Sequence, residues 1–163
     1  MKKKIAVLGS TGSIGNTLLR IVKKDKKNFK ILLLTANKNY KKLLRQAYEY
    51  NVKNLIITNI NSYKKIKKIK LKKKINIFNN FLSLETIFKK KIDYTMNAIT
   101  GLDGLEPTLK IIKHTQNIAI ANKESIICGW NLIEKELDKN KTNFIPVDSE
   151  HFSIWYAMKN NSI

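Results

Sequence analysis

The stretch Ile5-Ala6-Val7-Leu8 followed by Gly9-Ser10-Thr11-Gly12-Ser13-Ile14-Gly15 leaves this chain few folds to choose from. The apolar run is too short for a helix and too apolar for an exposed strand, so it reads as a buried central strand of a parallel sheet. It stops at a glycine and reopens as a helical pattern, giving a strand, a phosphate loop and a helix. Gly9 lets the backbone turn off the strand, Gly12 leaves no Cβ where a pyrophosphate must approach, and Gly15 lets the new helix lie close to the sheet. Thr11 and Ser13 add hydroxyl donors, and the unsatisfied N–H groups of the first helical turn, starting near Ser13, face a bound anion. The spacing is Gly-x-x-Gly-x-x-Gly, and a bare structural turn uses the same residues; the strand before and the helix after favour a dinucleotide phosphate.

Downstream the pattern alternates. Ser13 to Lys24 places Ile14, Leu18, Ile21 and Val22 on one helical face, opposite Arg20, Lys23 and Lys24. Phe29 to Ala36 reads as a second strand, and Tyr40 to Asn51 as an amphipathic helix through Leu43, Leu44 and Ala47. Leu55 to Thr58 is a third strand, with Ser62 as the expected cap of a brief helix. Further strands are expected at 75–78, 93–98, 118–121 and 144–147, and helices at 83–89, 106–113 and 125–139. Such alternation implies an α/β fold, a doubly wound parallel sheet of Rossmann-like type, with ligands at the carboxyl ends of the strands.

Composition narrows the class further. The 163 residues suit one domain, or one domain and the beginning of another, and 43% hydrophobic residues exclude a disordered chain. Lys plus Arg at 32 against Asp plus Glu at 12 gives a net charge of +20, a balance that in isolation points to nucleic acid or an anionic membrane. The lysines are scattered over nearly every polar face, however, which reads as solvated surface. The densest patch, Ser62 to Lys74, has almost no interleaved aromatics; it is a nucleic-acid candidate set against a plain surface helix and loop. The lone Cys128 excludes an internal disulfide and a Cys-x-x-Cys metal site, and is consistent with a reducing cytoplasm. No export core and no membrane span are legible.

The end of the second strand bears on the cofactor. An NAD site wants Asp or Glu there for the ribose hydroxyls, whereas Asn37-Lys38-Asn39 offers a cation and two amides, which suit the 2′-phosphate of NADP. The rival reading is a polar turn. Ala121-Asn122-Lys123-Glu124-Ser125 follows a strand and so presents its polar groups at the ligand edge, or else is simply a helix start with Glu124 in its first turn. Val147-Asp148-Ser149-Glu150-His151 likewise follows a strand; Asp148 and Glu150 are hard oxygen ligands for Mg²⁺ or Mn²⁺, or an ordinary cap with a nearby acid.

Together Gly9 to Gly15, Ala121 to Ser125 and Pro146 to His151, in this order and spacing, resemble the amino-terminal part of the 1-deoxy-D-xylulose 5-phosphate reductoisomerase family. The resemblance covers essentially the whole chain, and its second and third motifs are specific to that family. It implies an NADPH- and divalent-metal-dependent, homodimeric, cytoplasmic enzyme of the non-mevalonate isoprenoid pathway. That enzyme rearranges 1-deoxy-D-xylulose 5-phosphate, a phosphosugar, and reduces the product to 2-C-methyl-D-erythritol 4-phosphate. Carried over residue by residue, Thr11, Gly12, Ser13 and Ile14 hold the NADPH phosphates, and Asn37, Lys38 and Asn39 the adenosine ribose phosphate. Asn122 and Glu124 complete the cofactor site, Lys123 contacts substrate, Asp148 and Glu150 bind Mg²⁺ or Mn²⁺, and Ser149 and Glu150 face the substrate.

The resemblance implies residues 1–146 as an NADPH-binding domain and 147–163 as the start of a catalytic domain. One departure is Asn37, where the family usually has Gly; another is length, since family members are considerably longer. Ile163 is therefore expected to be a truncation of the sequence, with the third metal carboxylate, substrate phosphate site and lid beyond it, and this polypeptide is expected to be inactive alone. The alternatives are a non-catalytic NADP-binding protein and a basic nucleic-acid-binding protein.

Overall fold

Because its short apolar runs are buried on both faces, the chain lays them side by side in one sheet and returns each time through a helix. The computed structural model describes residues 1–147 and 149–160, with 149–151, 155, 159 and 160 described only by their place in a helix. In chain order, β1 (Lys3–Leu8), α1 (Ser13–Lys24), β2 (Phe29–Ala36), α2 (Tyr40–Glu49), β3 (Asn54–Ile57), α3 (Ile60–Lys67) and β4 (Asn76–Phe78) form the first half. A 3₁₀ turn at Phe81–Ser83 and α4 (Leu84–Ile87) lead to β5 (Ile92–Asn97). A second 3₁₀ turn at Leu102–Gly104 opens α5 (Leu105–Ile112), and β6 (Thr115–Ile120), α6 (Lys123–Asn140), β7 (Asn143–Pro146) and α7 (Ser149–Asn160) follow. Among the described residues no helix is long and apolar enough to cross a membrane.

All strand pairs are parallel, in the order β4-β3-β2-β1-β5-β6-β7. The chain thus winds outwards from β1 to β4, then crosses to the other side of β1 for β5, β6 and β7. That reversal creates a switch point between β1 and β5, the place where doubly wound sheets open a crevice. Ile5, Val7, Ile31 and Leu34 pack beneath the first helices against Leu19, Val22, Leu43 and Ala47. On the other side Ala6, Leu8, Leu33, Ile118 and Ile120 meet Ile111, Ile126 and Ile133. Ile31 and Leu33, two residues apart, enter opposite layers because the register slips between Ile5 and Ala6, a bulge that inserts Leu32.

Two local expectations are corrected. α1 buries Gly15, Leu19 and Val22 and leaves Ile14 and Ile21 exposed, so its inner face is rotated from the expected Ile14-Leu18-Ile21-Val22 stripe. The rotation is set by Gly15, which must face the loop it touches. The helix at Ile60–Lys67 is capped by Asn59, whose Oδ1 accepts from the Ser62 N–H at 3.0 Å, while the Ser62 hydroxyl donates to the Lys38 carbonyl. A free Ser62 cap would leave that carbonyl without this donor. Lys70, Lys72, Lys73 and Lys74 are exposed just ahead of β4, the strand at one edge of the sheet.

Candidate functional site

Gly9 leaves β1 with φ of +73°, a left-handed geometry that glycine adopts without strain, and a Cβ there would lie 2.6 Å from the Ala98 carbonyl oxygen. The ends of β1 and β5 therefore touch backbone to backbone at the switch point. Gly15 is equally constrained, since its Cβ would stand 2.6 Å from Gly9 O and 2.7 Å from Ser10 Cα. Gly12 differs: the nearest atom to its Cβ would be Gly9 O at 3.4 Å, so its outer side is open. Thr35, at the end of β2, holds the loop from the side. Its hydroxyl accepts from the Gly9 N–H at 3.0 Å and its carbonyl from the Ser10 N–H at 2.9 Å.

Over this loop lies a cleft of about 620 Å³, lined by Gly9, Thr11 and Gly12, by Thr35, Ala36 and Asn37, and by residues that follow β3, β4 and β5. Thr58, Asn79, Asn80, Ala98, Ile99 and Thr100 belong to this last group. Sequence reasoning missed them, because they enter through the strand order; the signal was their shared position just past a strand end. Two buried asparagines brace the segment after β5 from behind the cleft. Asn97 accepts from the Ile99 N–H at 3.1 Å and donates to Gly104 O and to the Thr108 hydroxyl. Asn122 donates to Ile99 O at 2.6 Å and to Gly101 O, and its Oδ1 accepts from the Ser125 N–H at 2.9 Å, capping α6.

The expected site residues divide accordingly. Thr11, Gly12 and Asn37 line the cleft. Ser13 and Ile14 open α1, and Lys38 and Asn39 are exposed in the turn ahead of α2, where Asn39 Oδ1 accepts from the Lys42 N–H at 3.1 Å. The Asn122 side chain is spent on the wall of the cleft, and Lys123 and Glu124 are exposed on the first turn of α6. Asp148 lies outside the described residues, as do the side chains of Ser149 and Glu150, although the backbone of both opens α7.

The geometry suits a dinucleotide. Gly12 leaves an open cradle, the peptide N–H groups of Thr11 and Ser13 have no partner among the described residues, and residues 37–39 bring no carboxylate to the end of β2. For a divalent cation, no group of three or more His, Cys, Asp or Glu stands together among the described residues. Asp148 and Glu150, expected to hold such an ion, have their side chains outside the described residues.

Sheet order, switch-point cleft and glycine loop define a Rossmann-like doubly wound α/β domain, the class that holds nucleotides over the carboxyl ends of its strands. Residues 5–129 match the family profile described as 1-deoxy-D-xylulose 5-phosphate reductoisomerase. The chain belongs to that family. It is 63% identical over 161 residues to the 1-deoxy-D-xylulose 5-phosphate reductoisomerase of Pelagibacter ubique, an alignment covering 98% of this chain and 42% of the relative. The chain thus spans less than half the length of the curated relatives it matches. Among solved structures it is similar to the Zymomonas mobilis reductoisomerase in complex with NADPH, with a TM-score of 0.84 and 32% identity, over 93% of this chain and 40% of that one. A reductoisomerase in complex with magnesium gives a TM-score of 0.80 at 30% identity, over 93% and 38% of the two chains.

Proposed function

We propose that this chain is the NADPH-binding part of an enzyme that isomerises and reduces 1-deoxy-D-xylulose 5-phosphate to 2-C-methyl-D-erythritol 4-phosphate in non-mevalonate isoprenoid biosynthesis. The observation that carries the reading is the open cradle at Gly12, bordered by unpartnered amides at the switch point and set in a chain of this family. In this reading residues 1–146 form the dinucleotide domain and 147–163 begin the catalytic domain. A cytoplasmic location and a homodimer of the full-length protein go with it.

Each residue's task follows from its chemistry. Thr11, Gly12, Ser13 and Ile14 present N–H groups and the positive end of α1 to the pyrophosphate. Lys38, with Asn37 and Asn39, pairs with the 2′-phosphate, where a carboxylate would repel it. Asn122 keeps the 99–101 wall in place, and Glu124 borders the same strand end. Lys123 sets a cation at the amino end of α6, where it stabilises negative charge developing on substrate oxygens. Asp148 and Glu150 would hold Mg²⁺ or Mn²⁺, with Ser149 and Glu150 facing the substrate. When bound, NADPH supplies the hydride and the metal polarises the oxygens it chelates.

Fluorescence titration tests the reading. NADPH is expected to bind about ten- to a hundredfold more tightly than NADH, and Lys38→Ala to remove most of that preference while leaving NADH unchanged. Equal affinities, or a Lys38→Ala change that weakens both cofactors alike, would overturn the assignment. Given deoxyxylulose phosphate and Mn²⁺, the same 163-residue polypeptide is expected to bind NADPH without oxidising it.

A further inference from the structure

We infer that Gln46 is a positioning residue of the phosphate loop, one that aims the loop's amides at the cofactor from behind and links them to the turn holding the adenosine ribose. The inference rests on the dinucleotide reading above and adds to it a residue two elements away from the loop in sequence.

Gln46 lies on the inner face of α2 and is 6% exposed. A buried amide on an amphipathic helix is unfavourable unless its polar atoms are all engaged, and here they are. Gln46 Oε1 accepts from the Ser10 hydroxyl at 2.8 Å, and Nε2 donates to the Ser10 carbonyl and to Asn16 Oδ1, each at 2.9 Å. Asn16, so oriented, turns its own amide onto the carbonyls of Thr11 at 3.1 Å and Gly12 at 2.6 Å. Lys42, one helical turn before Gln46, adds its ammonium to the Thr11 carbonyl at 2.9 Å. Three successive carbonyls of the loop are thus caught by side chains of α1 and α2.

The consequence follows from peptide planarity. In a trans peptide the carbonyl of one residue and the N–H of the next point in opposite directions. With the Ser10 carbonyl held toward Gln46, the Thr11 N–H is turned away from α2; the Gly12 carbonyl is held by both the backbone N–H and the side chain of Asn16, so the Ser13 N–H is turned out of the start of α1. Neither N–H has a partner among the described residues, as is true also of Ile14 and Gly15 on the first turn of α1. Free carbonyls in the same places would present negative ends to a pyrophosphate. Catching them therefore does two things, since it removes a repulsion and preorients the donors. The same helix begins at the Asn37–Asn39 turn, so α2 carries both the ribose-phosphate turn and the grip on the pyrophosphate loop.

Binding of two probes separates this role from simple support of the fold. NADPH uses both ends of α2, whereas adenosine 2′-monophosphate carries no pyrophosphate and uses only the turn. Gln46→Met keeps the volume and helix propensity but removes both donors. It is expected to weaken NADPH about tenfold, the effect of leaving one buried group unpaired, and adenosine 2′-monophosphate less than about twofold. Affinities that fall together, or an NADPH affinity that does not fall, would overturn the inference. If Gln46→Met does not fold, Asn16→Ala, at a half-buried position of the same network, is expected to give the same split, and its failure to do so overturns the inference equally. A wild-type chain that binds no NADPH would instead overturn the dinucleotide reading. Amide hydrogen exchange of Ser10 and Gly12, whose N–H groups are bonded to the Thr35 and Gly9 carbonyls, in the unliganded chain then decides this one: faster in Gln46→Met supports it, unchanged refutes it.

Discussion

Gly12 and Gly15 stand one helical turn apart and would respond differently to the same added methyl group. At Gly15 a Cβ meets backbone atoms of Gly9 and Ser10 at 2.6 and 2.7 Å, and backbone cannot step aside as a side chain can. Gly15→Ala is therefore expected to lower unfolding free energy by about 1–3 kcal/mol in urea titration and to abolish NADPH binding with it. At Gly12 the methyl makes only ordinary contacts, with Gly9 O at 3.4 Å and Ala98 O at 4.0 Å, in an extended geometry with φ of −75°. Gly12→Ala is expected to change stability by less than about 1 kcal/mol, yet to weaken NADPH at least about tenfold by occupying the cradle. Glycine roles of this kind are legible in a sequence because they depend on a strand, a turn and a helix that are neighbours in the chain. Gln46, Asn16 and Lys42 were not legible. On a helical wheel they are polar residues among many, and only the packing of α2 against the loop gives them partners.

At the scale of elements, α6 shows one residue governing two structures. Asn122 caps the helix through Oδ1 and, through Nδ2, ties down the Ile99 and Gly101 carbonyls that wall the cleft. Asn122→Ala is expected to cost about 2–3 kcal/mol in urea unfolding, more than a cap alone, because the two carbonyls lose their donor as well. Asn122→Asp keeps the cap but sets a buried carboxylate oxygen against the same two carbonyls, and is expected to cost more than the alanine change. The alternation of strands and helices was legible from periodicity almost throughout, and so was the placing of Asn122 at a strand end. Its mode of action was not, since a strand end says nothing of which loop lies beside it. Nor was the inner face of α1, where close contact at Gly15 outweighs the pull of Ile14 and Ile21 toward the core. Ser62 was assigned a local task, the cap, that Asn59 performs.

Across the whole molecule, stability should carry a signature of His114. Its ring is 7% exposed at the α5–β6 junction, beside Phe88, with the Glu85 carboxylate 3.7 Å away. Burial pushes its pKa below the ordinary 6.5; Glu85 opposes that shift and Lys113 adds to it. The unfolded chain then binds the proton more readily than the folded one, so this contribution is complete above pH 6.5 and is lost as pH falls through the folded value. Urea midpoints should hold above pH 6.5 and decline as pH falls below it, and His114→Leu should flatten that part of the profile. The strongly positive balance of the chain says little about such matters, but at one place it acts in a definite way. Among the described residues the open sheet ends on β4 and β7, and an unpaired strand edge is a template on which further strands can grow. β4 is three residues long and follows a hedge of exposed lysines, while β7 ends in Pro146, which has no N–H to offer an incoming strand. One edge is defended by charge and the other by covalent structure. Only the first depends on the solvent: at about 1 M salt, where charges are screened beyond ~3 Å, self-association of this protein would begin from the lysine side, and the proline side would still hold.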